Sequence, residues 1–236
     1  MRAQGGQRNT LAMKMKIIIA IACLGLLMWV EPANAQQRPQ PQIPFELTVG
    51  VHDHERRQVT DARIDKILKE ASKVLNKCNV VLTRTGSVGT FIAPNTEPNQ
   101  EALIETKDHR DAVHRESFDI KVVKIPFFFC LGPPPDEKEI AVGCAFDPLQ
   151  NADLPQRRSM IVGNARRSLK LTGKIWAHEF GHHRGLSHRN EAKALMNCKV
   201  KAQNDRINDH ECKCIREGPL VCNETPTRCP SDDNIR

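Results

Sequence analysis

The stretch "WAHEFGHHRGLSH", residues 176–188, restricts what this chain can fold into more than any other segment. It holds four of the nine histidines. Residues four apart on a helix project from nearly the same direction, so His178 and His182 share a face. Trp176 and Phe180 point to the opposite side, where they can anchor the helix in a core, and Glu179 lies on the flank of the histidine face. Two imidazoles at this spacing can bind one Zn2+ through their Nε2 atoms, with Glu179 beside an open coordination position. Gly185 can take a positive φ and end the helix. The chain then turns, and His188, three residues on, can swing back as a third ligand. H-E-x-x-H alone arises by chance, but Gly185 and His188 at the right offsets make the pattern specific. A fold for this chain must therefore bury one face of a late helix and keep the other for a metal. His183 lies off the ligand face and reads as a solvated histidine, as do His52, His54, His109, His114 and His210.

The N-terminus points to export. Arg2, Arg8, Lys14 and Lys16 precede an uncharged run over 17–30, too short for an ordinary membrane span and suited to a signal-peptide core. "EPANA" follows, with Ala33 and Ala35 as the small residues a signal peptidase accepts, so residues 1–35 read as a signal peptide. Translation starting at Met1, Met13 or Met15 leaves this reading unchanged. Cys23 lies in mid-run, without the leucine that a lipoprotein signal places three residues before it. The mature chain keeps 31 basic and 27 acidic residues, a net charge of +4. Its Lys and Arg are scattered and aromatics are few, which argues against nucleic acid as a partner. No membrane association is expected after cleavage, and a secreted or periplasmic monomer is.

Eight cysteines remain: Cys78, Cys130, Cys144, Cys198, Cys212, Cys214, Cys222 and Cys229. An even number in an exported chain reads as up to four disulfides. A second zinc site at Cys212 and Cys214 is the alternative, a weak one because that C-x-C has no matching pair.

Along the mature chain, residues 36–44 form a Pro/Gln-rich arm. "FELTVGV" (45–51) alternates as a half-buried strand. Thr60 and Asp61 start a helix whose apolar residues, Ile64 to Leu75, recur at helical spacing, and 80–82 begins a second strand. Strand, helix, strand in that order suggests a parallel crossover. Residues 84–116 show little periodicity and read mostly as loop. "FDIKVVKI" (118–125), "IAVGCAF" (140–146) and "SMIV" (159–162) are further strands, and Thr172 can cap the histidine helix. Five short strands with about three helices give an α/β (α+β) layer over 45–218. The remainder, 219–236, is a polar tail pinned by disulfides.

The segment from His178 to Met196 resembles the metzincin zinc endopeptidases, and among them the matrixins. In that family the zinc motif is followed by a tight turn whose methionine lies under the metal, and here "ALMN" places Met196 eight residues after His188. The resemblance implies a mixed five-stranded sheet, mostly parallel with one antiparallel edge strand near 140–146, along which a peptide or protein substrate lies extended. It implies one catalytic zinc on His178, His182 and His188, with Glu179 as general base and then acid. Calcium occurs in matrixins, but no acidic cluster here supports it. The chain departs from the matrixin pattern at Arg189, where Ser is usual, and at Asn197-Cys198, where Tyr-Pro is usual. It lacks the inhibitory cysteine of the matrixin propeptide, and it has no tyrosine to place beside the metal. Two other functions fit the same motif: a secreted cysteine-rich binding module with a structural zinc, in which Cys198 could supply a fourth ligand, and a zinc hydrolase of non-peptide amides.

Overall fold

A computed structural model describes residues 41–94, 96–102, 104, 106–124, 143–145, 159–163 and 168–222. The expected signal peptide, the expected arm up to residue 40, Cys130, Cys229 and residues 223–236 lie outside the described residues.

The first predicted strand is two strands. β1 (Ile43–Leu47) and β2 (Val49–His52) are divided at Thr48. The Thr48 backbone N–H and hydroxyl both donate to Asp119 Oδ2, at 2.8 and 2.6 Å, and the Asp119 N–H donates to Thr48 Oγ1 at 3.0 Å. A side chain thus takes the ladder bond at Thr48, and the chain changes pairing partners there. A single turn of α-helix, α1 (Asp53–Arg56), follows β2.

α2 (Asp61–Leu75) begins where its cap predicts, with Thr60 Oγ1 accepting the Arg63 N–H at 3.2 Å. Its apolar stripe of Ile64, Ile67, Leu68, Ala71, Val74 and Leu75 is buried. β3 (Val80–Arg84) then pairs in parallel with β1, Ile43 opposite Val80, as the crossover reading requires.

The region expected to be loop holds two elements, β4 (Gly89–Phe91) and α3 (Lys107–Arg115). β4 is too short to show a period. The buried residues of α3 include Arg110, Asp111 and His114 beside Val113, so it has no apolar stripe for periodicity to detect. Arg110 is ion-paired with Asp111, and the fully buried Lys121 donates from Nζ to His114 O at 3.1 Å.

β5 (Ile120–Val123), β6 (Gly143–Ala145) and β7 (Met160–Gly163) complete a five-stranded sheet in the order β4-β2-β5-β7-β6. All pairs are parallel except β6 with β7. This is the expected mixed sheet with its antiparallel edge strand, but β4 takes a place in it, and β3 pairs with β1 in a separate two-stranded sheet. Of the predicted edge strand, 140–142 and 146 lie outside the described residues. Five helices rather than three occur among the described residues once α4 (Leu169–His183) and α5 (Asp209–Glu217) are included.

The main core lies on the sheet face of Ile120, Val122, Met160 and Val162, against α2, Trp176 and Phe180. A smaller cluster containing Val123, Ile161, Ile104 and Val113 covers the other face. Two histidines expected in solvent are in fact buried, because both sheet faces are covered. His52 packs edge-on against Phe91 at 5.8 Å, and His114 Nδ1 lies 2.7 Å from Ser159 Oγ. Burial, with Lys121 and Arg110 nearby, holds the His114 imidazole well below its usual range, so it is neutral.

Cys78 is bonded to Cys212 and Cys214 to Cys222, and Cys144 and Cys198 are also in disulfides. The Cys212–Cys214 zinc alternative is thereby removed, since both sulfurs are already bonded. The Cys78–Cys212 bond spans 134 residues and ties the end of α2 to α5. Replacing both cysteines with serine should lower stability by about 3–5 kcal/mol, as expected for closing a long loop. Guanidinium unfolding of the pair variant measures this, and a loss below ~1 kcal/mol would contradict it.

Candidate active site

α4 starts one turn earlier than predicted. Ser168 is the cap, its hydroxyl accepting the Leu171 N–H at 3.3 Å, while Thr172 lies inside the helix and donates to Ser168 O at 3.1 Å. Both residues are cap types; Leu169 and Leu171, packed against the core, extend the helix to the earlier one. Trp176 and Phe180 are buried as the anchor, with Phe180 edge-on to Phe45 at 5.2 Å.

The opposite face carries the histidines. His182 Nε2 lies 3.0 Å from His178 Nε2 and 3.1 Å from His188 Nε2. His178 Nδ1 bonds to Leu195 O at 2.8 Å and His182 Nδ1 to Leu186 O at 2.7 Å. A carbonyl only accepts, so each Nδ1 must carry the proton and each Nε2 presents a bare lone pair. Lone pairs aimed at one another across 3 Å repel unless a cation lies among them, and three neutral imidazoles suit Zn2+. Burial keeps the two helix histidines neutral: it lowers His178 to about 4, and it puts His182 well below the usual imidazole range, with the neighbouring histidines adding to the shift.

The return of His188 is built from backbone bonds. The helix stops at His183, the Gly185 N–H donates to His182 O at 2.8 Å, and the Leu186 N–H donates to Gly181 O at 3.0 Å. Gly185 has φ +90°, a conformation a side chain would strain, in keeping with a hinge. Met196 is fully buried against Gly181, where its sulfur leaves no room for a side chain. It thus packs on the turn of α4 between His178 and His182, and the preceding carbonyl, Leu195 O, orients His178.

Glu179 is buried beside this cluster, and burial raises its carboxyl to about 8. The Ala145 N–H of β6 donates to it, while Oε2 has no hydrogen-bond partner among the described residues. Gly143 lies directly against the carboxylate, and a Cβ there would overlap it. In the sequence Glu179 and the 140–146 strand stand far apart, and no local pattern shows that Gly143 and Ala145 touch the carboxylate. The only signal was the glycine within that strand.

His183 is not solvated as expected. It is buried, with its ring 5.8 Å from that of Phe180, and it stands outside the Nε2 cluster. A second grouping, His210 with Cys214 and Cys222, has its two sulfurs in one disulfide.

No family model matches this chain, and no curated protein matches it in sequence. Solved structures do. A promirolysin variant from Tannerella forsythia superposes with a TM-score of 0.51 at 10% identity, covering 89% of each chain. Metalloproteinase-II from Bacteroides fragilis gives 0.45 at 12% identity over 78% of this chain and 54% of that one. A zinc-dependent peptidase from Methanocorpusculum labreanum gives 0.41 at 16% identity over 71% and 98%. The likeness, carried by promirolysin, is one of fold alone: this chain shares the fold of that protein.

Proposed function

We propose that the mature chain is an exported, monomeric zinc endopeptidase of the matrixin-like metzincin type. The observation that carries this reading is the convergence of three imidazole Nε2 atoms beside a buried carboxylate. His178, His182 and His188 would hold the ion. Bound there, zinc supplies Lewis acidity, acidifying a water ligand to a pKa near ~7 and polarising a carbonyl. Glu179 takes a proton from the attacking water and returns it to the departing amine, and burial makes its carboxylate a stronger base than one in solvent. Gly143 lets the edge strand approach the carboxylate closely, and the Ala145 N–H fixes its orientation. An extended peptide can pair with β6, which has one neighbour, β7, among the described residues.

The structural-zinc reading needs a fourth protein ligand. Cys198 was its nearest donor, and that sulfur is in a disulfide, which favours an open site.

The mature protein should carry about one zinc per chain and cleave members of a peptide library. Chelation by phenanthroline should lower cleavage by at least about 100-fold, and added zinc should restore it. Zinc content near one with no peptide cleaved, but with acylated sugars deacylated, would move the activity to non-peptide amides.

A further inference from the structure

The two departures from the matrixin pattern, at 189 and 197, touch each other and join the third-ligand loop to α5. The Arg189 N–H donates to Met196 O at 2.8 Å. Asn197 Nδ2 donates to Arg189 O at 3.4 Å and to Glu191 O at 3.2 Å. The Arg189 guanidinium spans outward from there. Its Nη2 lies 3.3 Å from Glu211 Oε2 and donates to Arg206 O at 3.3 Å, while Nη1 lies 3.2 Å from Glu191 Oε2.

The two carboxylates differ in what they can contribute. The Glu191 side chain is 45% exposed, so solvent screens its pair with Arg189. The Glu211 side chain is 6% exposed and sits in the capping box of α5, its Oε2 accepting the Asn208 N–H at 2.7 Å. The adjacent Cys212 bonds α5 to Cys78, so Glu211 stands on an anchored element. One residue from His188, then, a two-pronged cation links the ligand loop, the Met196 turn and a fixed buried anion.

We infer that Arg189 is a positioning residue. Through Glu211 it holds His188 and the Met196 turn in the geometry that binds the metal. The inference rests on the zinc reading above and adds a residue to it. Groups that orient metal ligands typically change affinity by about 10- to 100-fold when removed.

The test is zinc affinity, measured by competition with a chromophoric chelator on the full mature chain, together with thermal unfolding of the metal-free forms. Wild-type protein must bind one zinc; failure at that step would overturn the peptidase reading and this inference together. Arg189→Met should weaken zinc binding by at least about 10-fold. Glu211→Gln, which keeps an oxygen for the helix cap and removes the charge, should do the same and serves alone if the Arg189 variant does not fold. The double variant should be no worse than the weaker single one, as for two residues acting through one contact. Arg189→Lys should recover part of the loss, and Glu191→Gln should change little. If zinc affinity stays within about twofold of wild type while only the melting temperature falls, Arg189 is merely structural and the inference fails. Additive losses in the double variant would overturn it equally.

Discussion

Replacing Glu179 with alanine should leave the zinc in place and lower peptide cleavage by about 10²- to 10⁴-fold, the usual contribution of a positioned general base. Glu179 does not share in the Nε2 cluster, so the metal should stay. The carboxylate has two separable tasks, proton transfer and acceptance of the Ala145 N–H from the edge strand. Glu179→Gln divides them, since a side-chain amide can still accept from Ala145 but cannot take a proton at neutral pH. Both variants should therefore lose activity to a similar extent. A glutamine variant near wild-type rate, with alanine inactive, would reduce Glu179 to a prop for β6 and leave the base unassigned. Zinc content measured on the same samples guards against confusing a lost ion with a lost base.

What was legible in the sequence followed from strong local rules. The spacing of His178, His182, Gly185 and His188 describes a helix and its exit, and the structure brings those three imidazoles to one point. The apolar stripe of α2 and its Thr60 cap predicted that helix correctly because its inward face is purely apolar. The misses share a cause, which is that polarity was read as exposure. α3 is hidden because its polar residues face inward, Arg110 ion-paired with Asp111 and His114 bonded to Ser159 and Lys121. His52, His114 and His183 were placed in solvent for the same reason. The break at Thr48 depends on Asp119, 71 residues away, and no local pattern reports a contact at that distance. Gly143 was visible as a glycine, but its meaning depends on which side chain it faces, a tertiary fact.

His182 is the hub of the cluster, within 3.1 Å of both other Nε2 atoms, so His182→Ala is the other large effect expected. Two donors would remain where three converged. The fall in zinc affinity should exceed about 100-fold, above the range seen when only a supporting group is lost. Cleavage should drop below detection in the same variant. Leu186 O would also lose its donor, at a cost of about 1–3 kcal/mol if water cannot replace it. The neighbouring histidine is the control for burial as opposed to ligation. His183 is as buried as a core residue but faces Phe180, so His183→Gln should cost about 1–3 kcal/mol of stability and leave zinc affinity unchanged. Zinc titration and urea unfolding of the two variants should thus show opposite patterns. Zinc lost from the His183 variant and kept by the His182 variant would mean that the ligand face of α4 has been assigned one residue out of register.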